Sequence, residues 1–517
     1  VDSDIDSLPD TAALLTSGGD LRIVVDPLTG LSMYGCGPAP DPGLVQLGSS
    51  TASVISARGL AAASALRATL EEQLRHHAPD EVYARHATRQ RAELPLLCGC
   101  APGHAGGGEN GSGIEAILAA SGTDLHLLAA QWLQPHLTVM AAPEETGSGL
   151  PAALQGRHFN PRTAAGDSVV KGMPVGDWHG ELATLNLRHD DGSLRASAEV
   201  DADCIVRVDT AAALGQRVML ILTDVSKTGL IAPSIATALA LRQRWPDRID
   251  VLVDACQFRV SARTLRAYLG HGCLVALTGS KFMSGPTFCG LLLVPETAPD
   301  RRAAALPPGA RAYSNAADWP AHWGAAASLK AGAEANFGLL LRWEAAIAEM
   351  RAFRAVPTAF VAAFLRQFGQ AVTAALQEDW CFEILPVATL RRAALGDVDA
   401  ETGGADGEVA WDDEQSIFPF VLHAQAAAGW RPLTRGETLD LYRGLRHGGG
   451  DEHAPAPRFL LGQPVVCGDR DGVPVSALRL CVSAPMIAAA WESGSSDAAI
   501  ADALAALSAI AAIVKSM

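Results

Sequence analysis

Of the forty basic side chains in these 517 residues, only five are lysines: Lys171, Lys227, Lys281, Lys330 and Lys515. Basic residues nowhere gather into a cluster, and the formal net charge is −16. A chain of that balance is a poor partner for nucleic acid or for an anionic membrane surface. Uninterrupted apolar runs of about twenty residues are missing, which argues against a membrane span. The first residues, VDSDIDSLPD, are acidic and polar, unlike a secretory leader with its basic start and apolar centre. Ten cysteines are scattered without a framework, and Cys98-Gly-Cys100 lacks the partner pair of a zinc site. Reduced thiols in a cytoplasmic protein are the plain expectation.

Scarcity gives weight to the position of each lysine. From Ile249 to Pro295 the chain reads IDVLVDACQFRVSARTLRAYLGHGCLVALTGSKFMSGPTFCGLLLVP. One apolar run ends in Asp254, and a second ends in Thr278-Gly279-Ser280-Lys281. Between them lies a short helical segment, and a third run, Cys289 to Pro295, follows. Runs of this length, bounded by Gly and Asp, are expected to be buried strands of a sheet covered on both faces by helices. Asp254 and Lys281 then lie at the carboxyl ends of two strands, where open α/β sheets build their sites. The third run follows a turn too short for a crossover, so it is expected to be antiparallel to its predecessor.

Lys281 differs from the surrounding arginines in kind. Arginine stays protonated and cannot form an imine, whereas a partly desolvated lysine can. A lysine that only solvates a strand end is the plainer alternative, and its neighbours weigh against it. They fit pyridoxal 5'-phosphate, which needs a lysine for its aldehyde, a carboxylate facing the pyridine nitrogen, and short donors around a phosphate. Asp254 suits the second role. Thr278 and Ser280 suit the third, and Gln257 suits the ring's phenolic oxygen. VDACQ followed by TGSKFMSGPTFCG resembles the VDAAQ and SGHKFGGPKGVG pair of the class V aminotransferase and cysteine desulfurase group, fold type I. Order, spacing and the antiparallel strand after the lysine all agree.

Other stretches bear on that resemblance. Ser121-Gly122-Thr123-Asp124 opens a helix, and a helix start offers free backbone donors and a positive dipole end to a phosphate. It is similar to the family's SGATE or GTTE cup, which places Gly122 and Thr123 at the phosphate; an ordinary N-cap is the alternative. After a strand at 137–142 the family shows EH, with a histidine over the ring. Here Glu145 takes that place, or Thr146 if the alignment shifts by one, and a carboxylate does not stack as an imidazole does. Ser226-Lys227-Thr228-Gly229 looks like SNETG, which puts Ser226 at the Asn position near the ring and Lys227 where the family has an acid. Ser476-Ala-Leu-Arg479 is similar to VLRIS, whose arginine grips the substrate's α-carboxylate through a bidentate fork. An exposed arginine on an edge strand is the alternative. The family's GTxN threonine, given to the neighbouring subunit's phosphate, has only Gly332-Ala333-Glu334 near its place, without the hydroxyl.

The resulting expectation is an α/β fold: a large domain with a mostly parallel seven-stranded sheet between helices, plus a smaller α+β C-terminal domain. Residues 1–50 are read as an N-terminal arm holding one short strand, 51–350 as the large domain and 351–517 as the small one. The polar stretch 155–200 reads as a surface excursion or hairpin, and 344–364 as one helix. The resemblance implies a homodimer acting on a small-molecule amino acid substrate, most readily as an aminotransferase. A lyase, epimerase or decarboxylase, or a binding protein that kept the fold and lost turnover, are the other readings. Against desulfuration, no cysteine lies in the loop region after Lys281 where a persulfide carrier is expected.

Overall fold

The structure is a computed structural model that describes residues 8–100, 113–295, 299–330, 334–396, 409–426, 429–448 and 457–517. The apolar runs of the middle of the chain form strands because all but the edge strand 181–185 bury most of their residues. Seven of them build the large sheet: β1 (Ile114–Ala119), β2 (Leu137–Ala141), β3 (Glu181–Leu185), β4 (Val218–Asp224), β5 (Ile249–Asp254), β6 (Leu274–Thr278) and β7 (Gly290–Pro295). Their order is β1-β7-β6-β5-β4-β2-β3, with a two-residue strand, Ile231–Ala232, added beside β4. Every residue of β4 and β6 is buried. Full burial of a Val, Leu or Ile side chain contributes roughly 1.5–3 kcal/mol, so these continuous apolar strands sit where helices cover both sides.

The pairings β2–β3, β2–β4, β4–β5 and β5–β6 are parallel, whereas β7 is antiparallel to both β6 and β1. The antiparallel third run is therefore present as expected. Helix Ala262–Gly270 connects β5 to β6, capped at its start by Ser261. Because β1, β4, β5 and β6 all run the same way, their carboxyl ends open on one edge of the sheet.

A second sheet of six strands contains Phe382–Ile384, Ile417–Ala426, Gly429–Pro432, Arg458–Arg470, Val473–Cys481 and, from far upstream, Leu44–Leu47. Leu44–Leu47 pairs parallel with Arg458–Arg470. The arm therefore belongs in part to the small domain's sheet, and the one short strand read among its residues forms at Leu44–Leu47, after the Pro- and Gly-rich loop. Two further expectations are corrected. The 155–200 stretch is not only a surface excursion, because β3 is an edge strand of the large sheet. The helix read at 344–364 is two helices, Phe337–Arg354 and Thr358–Glu378. Pro357 separates them, since proline disfavours helical backbone in the residue before it.

Two helices, Thr358–Glu378 and Asp497–Lys515, are long and apolar enough to cross a membrane by length and composition alone. In this fold they pack against each other, and each buries one face only, with Val361, Phe364, Leu365 and Phe368 on one and Ala503, Leu507 and Ile510 on the other.

Candidate active site

The carboxyl ends of β1, β4, β5 and β6, the loop after β2 and the small domain surround a cleft that encloses about 970 Å³ including its open mouth. Gly122, Thr123, Glu145, Ser226, Asp254, Gln257, Thr278, Lys281 and Arg479 all line it. Nine of the ten positions singled out in the sequence thus converge, although they span more than 350 residues of chain.

Asp254 is the last residue of β5, and its Oδ1 accepts the backbone N–H of Cys256 at 3.2 Å. Its other oxygen, Oδ2, lies 3.8 Å from His126 Nε2. His126 is fully buried, its Nδ1 pairs with Gly122 O at 2.6 Å, and Nε2 makes no hydrogen bond. Lys281 lies three residues past the end of β6, in a turn closed by Ser284 N–H donating to Lys281 O. Its Nζ makes no hydrogen bond within the protein among the described residues. Burial, with a further push from Arg479 and Arg259, lowers the Lys281 amine below the ordinary lysine range despite the opposing pull of Cys256 and Asp254.

At the other expected seat, Ser121 caps helix Gly122–Leu133 by accepting Asp124 N–H. The amides of Gly122 and Thr123 belong to the first turn, where the helix supplies no acceptor. A Cβ on Gly122 would lie 2.9 Å from Cys256 Sγ and 3.1 Å from Thr278 Cγ2, so glycine is what lets the helix start approach β5 and β6. Burial and the nearby Asp20 push the Asp124 carboxyl up, against the opposing pull of Ser121 and Arg22.

Neither hydroxyl expected at this seat is offered to it. Thr278 Oγ1 donates to Cys256 O at 2.6 Å. Ser280 is fully buried with Oγ unbonded, and it does not line the cleft. Its turn presses against helix Phe337–Arg354, where a Cβ on Gly279 would meet Ala346 Cβ at 2.6 Å. The structure instead brings Arg22 to this wall, a residue the sequence reading passed over. Its Nη1 donates to Thr123 Oγ1 and its Nη2 to Ser121 Oγ, each at 3.1 Å, while Asp20 holds the guanidinium and the rings of Phe159 and Phe288 flank it.

Glu145 does not present a free carboxylate to the cleft. It accepts from Arg188 Nε at 3.1 Å, Ser226 Oγ at 2.7 Å and Thr228 Oγ1 at 2.7 Å. Ser226 Oγ in turn accepts from the backbone N–H of Thr228 and Leu230. The pair braces the 226–230 turn, and position 145 supplies a strut where the resembled family has a ring. Gln257 donates through Nε2 to Ser50 O at 3.0 Å, and its Oε1 is buried without a partner.

Arg479 lies in a central strand of the small sheet, opposite Pro419 on one side and Gly462 on the other, and is buried. The alternative of an exposed arginine on an edge strand does not apply. Its guanidinium donates to Lys227 O at 3.2 Å, Thr51 Oγ1 at 2.9 Å and Gln463 O, while Nε remains unbonded. Gly332 and Ala333, near the place of the family's intersubunit threonine, lie outside the described residues.

Three buried polar atoms on side chains of the cleft wall therefore lack partners in addition to His126 Nε2: Thr223 Oγ1, Gln257 Oε1 and Arg479 Nε. Buried polar groups are normally satisfied, so this wall is built to meet a polar molecule.

No family model and no curated protein matches the sequence. Among solved structures, a NifS-like protein superposes with a TM-score of 0.51 and 10% identity, covering 91% of this chain and 100% of the other. Oryza sativa TDC with PLP (TM-score 0.48, 14% identity, 92% and 85% covered) and the apo cysteine desulfurase of Thermococcus onnurineus NA1 (0.48, 11%, 92% and 95%) fall below the level at which a superposition carries weight. The likeness to the NifS-like protein shows the fold: a large mixed sheet between helices with a smaller α+β unit, the fold type I arrangement that the sequence resemblance implied.

Proposed function

We propose that this chain is a pyridoxal-phosphate-dependent enzyme acting on an amino acid, and specifically an aminotransferase of the class V kind. The observation that carries the reading is the convergence, in one cleft, of a half-buried lysine with a lowered amine pKa, a carboxylate at the end of a nearby strand, and an open helix start. The unpartnered atoms of Gln257, His126 and Arg479 and the close approach permitted by Gly122 fit such a cofactor. When bound, it supplies an aldehyde that takes up an amine and a ring that delocalises negative charge.

The protein's own groups have separate tasks. Lys281 would hold the cofactor through its amine, and a lowered pKa suits that amine to moving a substrate's α-proton. Asp254, with His126 behind it, would face the ring nitrogen. The amides of Gly122 and Thr123 would hold the phosphate, with Arg22 fixing the Ser121 and Thr123 hydroxyls around it. Arg479, on the cleft wall, would receive the α-carboxylate. In this reading the protein works as a cytoplasmic homodimer.

All ten cysteines are buried, and burial pushes Cys36 up to about 12. A mobile, reactive thiol of the sort a persulfide carrier needs is therefore not on offer, which favours transfer over desulfuration. The test is a panel of amino acids incubated with the purified protein and pyridoxal phosphate, with and without a 2-oxo acid. Transfer predicts a new amino acid only when the oxo acid is present. Product formed equally well without it would move the assignment to elimination or decarboxylation.

A further inference from the structure

A cation buried in a cleft without a partner is costly, and proteins normally pair it. Lys227 is such a cation. It lines the cleft together with Lys281 and Arg479, is largely enclosed, and donates through Nζ only to the carbonyl of Pro143, at 3.1 Å. Among the described residues it has no carboxylate partner. The adjacent carboxylate, Glu145, is already held by Arg188, Ser226 and Thr228.

Lys227 is also firmly placed. Its backbone N–H donates to Glu145 O at 2.8 Å, and its carbonyl accepts from Arg479 Nη1, which ties the two cations to one wall. Burial, then the positive charges of Arg479 and Lys281, lower its amine to about 8 against the weaker pull of Glu145 and Glu144. The amine is thus still mostly protonated near neutral pH. In a chain of net charge −16, this wall is locally positive.

Resting on the reading above, Lys281 is assigned to the cofactor and Arg479 to an α-carboxylate, which leaves Lys227 with no carboxylate in direct contact among the described residues. We propose that Lys227, beside Arg479, receives a second negative group of the substrate, so that the amino acid this enzyme acts on ends in a side-chain carboxylate. The position is the one at which the chain carries a lysine where the resembled sequence pattern carries an acid.

The experiment uses the full-length protein loaded with pyridoxal phosphate and follows the change in cofactor absorbance as amino acids are added. Aspartate against asparagine and glutamate against glutamine differ in little but the charge. At least one acid is expected to bind ~10–100-fold more tightly than its amide, the range a charge-assisted hydrogen bond provides. Lys227→Met is expected to erase that preference by weakening the acid and not the amide, and Lys227→Arg to keep most of it. A wild type that takes up no cofactor overturns the reading and the inference together. A loaded wild type that binds acid and amide within threefold overturns the inference alone, as does a Lys227→Met protein that keeps the preference. The wild-type comparison stands even where the methionine variant fails to fold.

Discussion

Replacing Glu145 by alanine separates a strut from a cofactor-facing group. The carboxylate is 4% exposed and accepts from Arg188, Ser226 and Thr228. After its removal Arg188 keeps only Thr228 Oγ1 and the carbonyls of Gly192 and Pro386, and its charge is left buried without a counter-ion. Breaking a buried ion pair from one side costs ~3–5 kcal/mol. At about 1.4 kcal/mol per factor of ten, that is two to four orders of magnitude in the unfolding equilibrium. Urea denaturation followed by tryptophan fluorescence measures it. Cofactor uptake should weaken as well, because the 226–230 turn loses its brace. An alanine variant within ~0.5 kcal/mol of wild type, the usual range for a surface substitution, would refute the reasoning. It would mean that the carboxylate is free to meet the ring.

Two further expectations follow from the same geometry. Gly122→Ala puts a methyl group 2.9 Å from Cys256 Sγ, so the helix start must retreat from β5 and β6; pyridoxal phosphate affinity, read by absorbance titration, should fall at least tenfold, while pyridoxal, which lacks the phosphate, should be less affected. Glu383 is held by His423 and Arg470, and these contacts lower its carboxyl from 4.5 to about 2. A depressed carboxyl contributes stability fully above its ordinary pKa and loses it as pH falls through the folded value. The pair is partly exposed, so Glu383→Gln should cost only ~1 kcal/mol at pH 7, a gap that narrows below pH 4.5 and closes near pH 2 in melts run across that range.

The sheet's centre was legible because strands buried on both faces are written as unbroken apolar runs. VMLILTD, IDVLVD and LVALT each finish in a polar or titratable residue, at the end that opens on the cleft. The start of helix Gly122–Leu133 was legible for a related reason, since its cap residue Ser121 is local. What escaped depends on distant partners. Leu44 pairs with Arg458, more than 400 residues away, and no periodicity in four residues announces it. Arg22 meets Ser121 and Thr123 across a hundred residues. Arg188 lies in the polar stretch whose role the sequence did not disclose, so the strut at Glu145 could not be foreseen. His126 was within reach, because it stands four residues after Gly122 and so on the same helix face. Ser280 was misjudged because flanking a lysine in sequence does not fix which way a turn residue points.

The most direct measurement concerns one nitrogen. Purified protein incubated with pyridoxal phosphate, reduced with borohydride and digested should yield a peptide tagged at Lys281, and Lys281→Ala should yield none. A tag on Lys227 or on no peptide at all, with the protein folded, would contradict the account.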